Sequence, residues 1–193
     1  MNNLFVFEGP DDVGKTTIVS KLEQKLLSIG KNCIQLSFPG RDLDTLGWHI
    51  YQVHHNPSLY NIDTMTPLSL QILHVAAHAD VVERKILPLL KKEKTIILLD
   101  RYWWSTWAYG FVSNIPKSHL NALINLEKSF WNNIIPKGLF LFSRSNSNAS
   151  EHLVQAYNEL ASMENSYYPI INLENNGTID DAINKILPYI WND

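Results

Sequence analysis

The residues with the clearest chemical potential lie near the N-terminus, where Gly9 to Thr17 read G-P-D-D-V-G-K-T-T. This run matches the pattern G-x-x-x-x-G-K-[ST], whose glycines let the backbone point successive N–H groups at phosphate oxygens. The N-terminus of a following helix adds its positive dipole end. Lys15 supplies a cation for the β- and γ-phosphates of a nucleotide, and the Thr16 hydroxyl can ligate Mg²⁺. The run therefore predicts a nucleotide-phosphate site formed by Gly9, Asp12, Val13, Gly14, Lys15, Thr16 and Thr17.

A second polar pair, Asp100 and Arg101, follows directly after the apolar run 95–99. In proteins with such a phosphate loop, an apolar strand that ends in Asp typically helps to hold Mg²⁺ or its waters, so Thr16 and Asp100 form the predicted metal site. Arg101 is a candidate ligand for a second phosphate, because a planar guanidinium grips phosphate with two hydrogen bonds. Taken alone, the pair is equally compatible with a surface ion pair.

Histidines and tryptophans at helical spacing allow more than one interpretation. His74 and His78 are four residues apart, so they share one face of a helix. They could bind a ligand, or they could be two partly buried helix residues. A zinc site is disfavoured because no third ligand is evident and the H-E-x-x-H pattern is absent. Trp103, Trp104 and Trp107 could stack on a base, but aromatic residues at this spacing more often form core or dimer contacts.

The composition excludes several classes of protein. The 193 residues include 16 Lys and Arg against 19 Asp and Glu, a net charge of −3 that argues against a nucleic-acid partner. Only four residues are arginines, namely 41, 84, 101 and 144. The single Cys33 cannot form an intramolecular disulfide or a zinc cluster, and it fits a reducing compartment. Because neither a signal peptide nor a run of ~20 apolar residues is present, we expect a cytoplasmic protein without a membrane partner.

The motifs must be positioned by elements that alternate along the chain. Short apolar runs beside turn residues predict strands at 4–7, 32–37, 95–99, 139–142 and 169–173. Apolar spacing and capping residues predict helices at 16–29, 43–54, 67–90, 103–111, 117–133, 151–163 and 178–191, and Pro88 can bend the third of them. This alternation predicts a single α/β domain over 1–193, a doubly wound parallel sheet of five strands with helices on both faces.

Three segments resemble the thymidylate kinase family in their order and separation. They read F-E-G-x-D-x-x-G-K-T-T at 7–17, F-P-x-R at 38–41 and D-R-Y-x-x-S-x-x-A-Y at 100–109. The resemblance extends loosely over nearly the whole chain and implies the P-loop NTPase fold. It also implies transfer of the γ-phosphate of ATP, with Mg²⁺, to a deoxynucleoside monophosphate that is usually dTMP. A homodimer packed through long helices is a further expectation from the resemblance.

The resemblance also implies roles for residues of the acceptor site. Asp11 would contact the sugar, Arg41 and Arg101 would bind the phosphate, Phe38 would line the pocket, and Ser105 and Tyr109 would lie near the base. His74 and His78 occupy places where the family usually carries an aromatic residue and an Arg. Histidine is mostly neutral near pH 7 and lacks the guanidinium fork, which weakens the expectation that dTMP is the acceptor.

The segment 143–150 departs further from the family, which normally carries a helix and an Arg-bearing lid over ATP at this place. Some members have a compensating Arg in the phosphate loop, but here that place holds Asp12. Arg144 is then the candidate for a charge that in related phosphoryl-transfer enzymes is worth ~10³–10⁵ in rate. The expected catalytic residues are Lys15, Asp100, Arg101 and Arg144.

Three functions remain open from the sequence. The leading hypothesis is a nucleoside monophosphate kinase of the thymidylate kinase type. The shortened lid also allows a nucleotide-binding protein with little or no kinase activity. A kinase acting on a nucleoside or another small acceptor is the third hypothesis, and its hydroxyl chemistry would need a base such as Glu8 or Asp100.

Overall fold

The fold is built around one five-stranded parallel sheet, seen in a computed structural model that describes residues 3–40, 42–92, 94–131 and 133–191. The strand order is β2-β3-β1-β4-β5. The strands are β1 Leu4–Glu8, β2 Cys33–Ser37, β3 Ile96–Asp100, β4 Gly138–Ser143 and β5 Ile170–Glu174. The register aligns Phe7 of β1 with Asp100 of β3, so the two polar motifs begin at the same edge of the sheet.

Eight α-helices alternate with the strands in the described part of the chain. They are α1 Lys15–Ser28, α2 Leu46–His55, α3 Pro67–Val81, α4 Leu87–Leu90, α5 Trp103–Val112, α6 Lys117–Phe130, α7 Glu151–Glu164 and α8 Ile179–Trp191. Thr66 caps α3 by accepting a hydrogen bond from the Ser69 N–H, with Pro67 in the first turn. Thr178 and Asp181 exchange hydrogen bonds at the start of α8, which confirms the predicted cap there.

Both faces of the sheet are covered, because successive residues of a strand point to opposite sides. Leu4 and Val6 of β1 join a core cluster with residues of α5, α6 and α7. Phe5 and Phe7 join a second cluster with residues of α1 and α8. The near-continuous apolar strands are therefore explained by burial on both faces, and the predicted doubly wound α/β fold is confirmed.

The long helix predicted over 67–90 is interrupted earlier than expected. The segment Val82–Ile86 forms a turn of π-helix, in which the Leu87 N–H bonds to the Val82 carbonyl five residues back. Pro88 has no N–H for the carbonyl of Arg84, so the turn before it must be irregular. The chain is thus helical to Leu90 as predicted, with its irregular turn just before Pro88. A short 3₁₀ helix at Pro57–Tyr60 was not predicted.

The tryptophans of α5 belong to the core. Trp103, Trp104 and Trp107 are 3%, 0% and 9% exposed and lie in the cluster with α6 and α7. The indole N–H of Trp104 donates to the Tyr168 hydroxyl over 3.0 Å, so its polar atom is satisfied inside the core. This confirms the core interpretation over base stacking. Among the described helices, none has the length and apolar content needed to cross a membrane.

Replacing Trp104 by Ala should lower the free energy of unfolding by about 3–5 kcal/mol, because a large buried side chain leaves a cavity. Trp191→Ala is the matched control, since Trp191 is 51% exposed. There we expect a change below about 1 kcal/mol. Urea unfolding followed by circular dichroism measures both, and equal effects of the two substitutions would contradict the assignment of Trp104 to the core.

Candidate active site

A cavity of about 590 Å³, here called the central cavity, opens at the carboxyl ends of β1 and β3. In open α/β sheets this edge, where the strand order reverses, is the usual place for a ligand. Most residues predicted from the sequence line it: Asp11, Asp12, Gly14, Lys15, Thr16, Thr17, Phe38, His74, His78, Asp100, Arg101, Ser105 and Tyr109. Arg41, the second predicted phosphate ligand, lies outside the described residues.

The phosphate loop occupies one wall of the central cavity, with its two predicted glycines at positive φ. Gly9 has φ +133°, and a Cβ there would lie 2.4 Å from the Phe142 carbonyl oxygen, so only glycine fits against β4. Gly14 has φ +86° and immediately precedes α1. Gly9 and Val13 also belong to the loop, but both are buried and neither lines the cavity. The loop thus has the conformation that the motif requires.

The Lys15 ammonium lies inside this loop and is only 5% exposed. It donates to the carbonyl oxygen of Gly9 over 2.7 Å and also to that of Pro10. Burial, together with the nearby Arg101, lowers the pKa of Lys15 to about 8, although Asp100 and Glu8 oppose the shift. The surroundings of the ammonium therefore disfavour its charged form. A bound polyanion would stabilise that form and raise the pKa again.

The predicted metal ligands lie together. The Thr16 hydroxyl donates to a carboxylate oxygen of Asp100 over 2.7 Å, although the residues are 84 positions apart. One hydroxyl and one carboxylate beside a phosphate loop fit Mg²⁺, which keeps several waters and takes few protein ligands. The described residues contain no group of three or more His, Cys, Asp or Glu that could hold a metal ion by themselves.

Arg101 lines the central cavity and contacts the phosphate loop through Asp11. Its backbone has φ +76°, and its N–H bonds to the Phe7 carbonyl over 2.9 Å as β3 ends. The guanidinium donates to the Ser105 hydroxyl over 2.9 Å and to Asp11, and it lies 5.3 Å from the centre of the Tyr109 ring. The Tyr109 hydroxyl also donates to Asp11, over 2.6 Å. Burial acts to raise the pKa of Asp11, but Arg101 and the Tyr109 hydroxyl outweigh it and lower that pKa.

Glu8 is a wholly buried carboxylate that supports this arginine from behind. It accepts hydrogen bonds from the backbone N–H groups of Tyr102 and Ser105 over 2.6 and 3.1 Å. The Ser105 hydroxyl donates to it over 2.8 Å while accepting from Arg101, and Tyr157 of α7 donates to it over 3.3 Å. Burial raises the pKa of Glu8, although Arg101 and Ser105 act against the rise. The Ser105 hydroxyl thus bridges Arg101 and Glu8. Its expected place near a base stays a prediction.

His78 is held by a carboxylate that no sequence pattern indicated. Its Nδ1 lies 2.5 Å from an oxygen of Glu127, which is 0% exposed and also accepts from the Thr106 hydroxyl over 3.0 Å. The His78 ring stacks on Phe38 at a centroid distance of 4.0 Å. Since Glu127 is 49 residues from His78 in the chain, only tertiary packing brings the two together.

His74 has a different environment one turn earlier on α3. Burial, followed by the neighbouring His78 and His54, lowers the pKa of His74 to about 3, so this imidazole is neutral near pH 7. Its Nε2 is buried and has no hydrogen-bond partner among the described residues. Gln71 and His54 also line the central cavity, and the sequence analysis did not select either. Gln71 could have been found, because it lies three residues before His74 on the same helical face.

Arg144 does not line the central cavity. It lines a separate groove together with residues of α7, beyond the end of β4. The loop that carries it is tied to the loop after β5, since the Ser145 N–H donates to the Asn176 side chain over 3.0 Å. A catalytic role for Arg144 therefore stays a prediction from the resemblance.

Comparison with known proteins agrees with the motifs. A family model described as thymidylate kinase matches residues 7–164. The thymidylate kinase of Chlorobium luteolum is 30% identical over 171 residues, which cover 84% of this chain and 76% of that protein. The thymidylate kinase of Thermoanaerobacter sp. (strain X514) is 35% identical over 103 residues, which cover 53% of this chain and 47% of the relative. The chain therefore spans about half the length of that relative.

A solved structure extends the likeness over the whole fold. The crystal structure of thymidylate kinase from Ehrlichia chaffeensis has a TM-score of 0.74 and 20% sequence identity to this chain, with 97% of each chain covered. At that identity the likeness shows the fold. Because the family model covers most of the chain, the chain belongs to the thymidylate kinase family, and the resemblance found in the motifs is confirmed.

The shifted pKa of Lys15 predicts how nucleotide binding depends on pH. Because the pKa of Lys15 is about 8 before nucleotide binds, its side chain is a charged ammonium below that pH and loses the proton, and with it the charge, above that pH. We expect ATP affinity to be nearly constant from about pH 7 to 7.5, and then to fall by up to about tenfold per pH unit above 8. Titration calorimetry measures the profile. Lys15→Ala should bind weakly at every pH, and a flat profile for the native chain would contradict the role of the ammonium.

Proposed function

We propose that this member of the thymidylate kinase family transfers the γ-phosphate of ATP to a deoxynucleoside monophosphate, with dTMP as the leading acceptor. The observation that carries the proposal is the placement of two anion-binding groups in the same cavity. Lys15 of the phosphate loop and Arg101 both line this cavity. A single nucleotide needs only the first of these, whereas a donor and an acceptor phosphate together need both.

The chemistry requires positioning and neutralisation of charge more than acid–base catalysis. An acceptor phosphate is already nucleophilic, so the barrier comes mainly from bringing two polyanions together. Lys15 would neutralise the donor phosphates, and Arg101 would grip the acceptor phosphate. Mg²⁺, held by Thr16 and Asp100, would neutralise charge that develops on the transferring group. Asp11 and Tyr109, joined by a hydrogen bond beside Arg101, are the proposed contacts to the acceptor sugar.

A kinase of nucleosides is less well supported. That reaction needs a general base within hydrogen-bond reach of the substrate hydroxyl. Glu8, one of the two candidates, is 0% exposed and accepts hydrogen bonds from Tyr102, Ser105 and Tyr157, so a substrate does not reach it. Asp100, the other candidate, is bonded to Thr16 at the proposed metal site.

Binding of nucleotide without efficient turnover is the second candidate function. The position of Arg144 outside the central cavity favours this second function. Among the described arginines, Arg101 alone lines the cavity, and it is already assigned to the acceptor phosphate. We expect slow turnover rather than none, because Lys15, Arg101 and the metal ligands are in place. The homodimer and the cytoplasmic location also stay predictions from the resemblance and the composition.

The acceptor can be identified by measuring ADP formation from ATP and Mg²⁺ with a panel of acceptors. We expect ADP release that depends on dTMP or dUMP, and little or none with thymidine, because Arg101 lies in the cavity to bind an acceptor phosphate that thymidine lacks. Tight ATP binding with no ADP formation above background for any monophosphate would reject the kinase proposal. A faster reaction with thymidine than with dTMP would favour the nucleoside kinase.

Arg101→Lys should separate the two phosphate sites. A lysine keeps the charge but not the two-pronged grip, so we expect the acceptor KM to rise at least about tenfold and kcat to fall, with the ATP KM little changed. Arg84→Lys is the matched control, since Arg84 is exposed and pairs only with Asp80 and the Asp44 carbonyl among the described residues. Steady-state kinetics would contradict the assignment if Arg101→Lys raised only the ATP KM.

A further inference from the structure

Asn175 contacts the phosphate loop from the far end of the chain. It follows β5 directly, and its amide Nδ2 donates to the Val13 carbonyl oxygen over 2.8 Å. A Cβ built on Gly14 would lie 2.6 Å from the same Nδ2, so the amide also packs against the Gly14 α-carbon. The Asn175 amide thus contacts the peptide that joins Val13 to Gly14 on its carbonyl side.

This contact fixes the direction of a peptide group. In a trans peptide the C=O and the N–H are coplanar and point in opposite directions. With the Val13 carbonyl turned towards Asn175, the Gly14 N–H points away from it. Gly14 lines the central cavity, and its N–H bonds to no other group in residues 3–40, 42–92, 94–131 and 133–191.

Gly14 itself cannot hold this orientation. Glycine rotates more freely than any other residue, and Gly14 has φ +86° with no side-chain cap for α1. An external restraint is therefore needed if the N–H is to face a phosphate before the ligand arrives. We propose that Asn175 is this restraint: a positioning residue that sets the Val13–Gly14 peptide so that the Gly14 N–H can bind a nucleotide phosphate.

Asn175 is well anchored for that role. Its own backbone N–H donates to the Ser143 carbonyl over 2.8 Å, at the end of β4. The amide is therefore carried by the sheet edge and not by a free loop. The next residue, Asn176, has the same side chain but turns away, donating to Ser145 and Glu174 over 2.6 Å each. A preorganised donor binds a phosphate without the entropy cost of ordering the loop during binding.

The inference rests on the proposed phosphate site but not on the acceptor or on turnover, so a binding experiment tests it. Inorganic tripolyphosphate and ATP are titrated into the native chain and into Asn175→Ala, Asn175→Leu and Asn176→Ala. We expect both Asn175 variants to lose about 3- to 10-fold in affinity for each ligand, the range of one orienting hydrogen bond. Asn176→Ala, the matched control, should change either affinity less than twofold.

Tripolyphosphate separates this role from a contact to the nucleoside. If the Asn175 variants bind ATP more weakly but tripolyphosphate as well as the native chain, the side chain acts on the nucleoside and the proposal is overturned. Unchanged binding of both ligands overturns it as well. Asn175→Leu keeps most of the volume of the side chain, and the thermal midpoint of each variant shows whether a loss of affinity reflects unfolding.

A measurement on the native chain keeps the proposal testable if both variants unfold. The Gly14 amide proton should move downfield in the NMR spectrum when tripolyphosphate is added, as a newly formed hydrogen bond to phosphate requires. An unmoved Gly14 signal at saturating ligand overturns the proposal. If the native chain binds both ligands but forms no ADP with any acceptor, the proposed kinase activity is rejected. The role of Asn175 is then still decided by the binding results.

Discussion

The Glu8 carboxylate, buried where β1 ends, accepts hydrogen bonds from the first turn of α5 and from a tyrosine of α7. A buried carboxylate is tolerated only when such donors surround it, so this one residue constrains how α5 and α7 are placed relative to the sheet. The phosphate loop begins at the next residue along the chain, and Arg101 is bridged to Glu8 through Ser105. The position of Arg101 relative to the phosphate loop therefore depends on a buried group that does not line the central cavity.

The charges of the cavity are balanced in a way that suits polyanionic ligands. Lys15 donates to loop carbonyl groups and has its pKa lowered, while Arg101 is partnered by Asp11. Each cation is thus held in place by groups that a phosphate can replace or supplement. Lys15 and Arg101 are the only Lys or Arg side chains that line the cavity among the described residues, so in the proposed reaction the neutralisation of charge would depend on these two and on Mg²⁺.

Local features of the molecule were predictable from the sequence, and features that depend on packing were not. The strand 4–7 and the phosphate loop were predictable because apolar continuity and glycine spacing are local properties. The pairing of His78 with Glu127 was not, since it depends on how α3 packs on α6. The bridging of Glu8 and Arg101 by the Ser105 hydroxyl was likewise not predictable, and the expected place of Ser105 near a base stays a prediction. The sequence pointed to a distortion at Pro88, and the π-helical turn lies just before it at Val82–Ile86, because the effect of a proline falls on the carbonyl four residues earlier.

The fold class and the family were predictable from the sequence, as were the phosphate loop and the proposed metal-binding pair. These follow from patterns that repeat within about ten residues, together with the rule that parallel strands bring their carboxyl ends to one edge. The polar groups that support the residues of the cavity could be identified only from the tertiary structure. Glu8 is bridged to Arg101 by Ser105, Glu127 pairs with His78, and Asn175 bonds to the carbonyl before Gly14. The physical reason is that a hydrogen bond needs contact within about 3 Å, and residues 50 to 160 positions apart reach it only through packing.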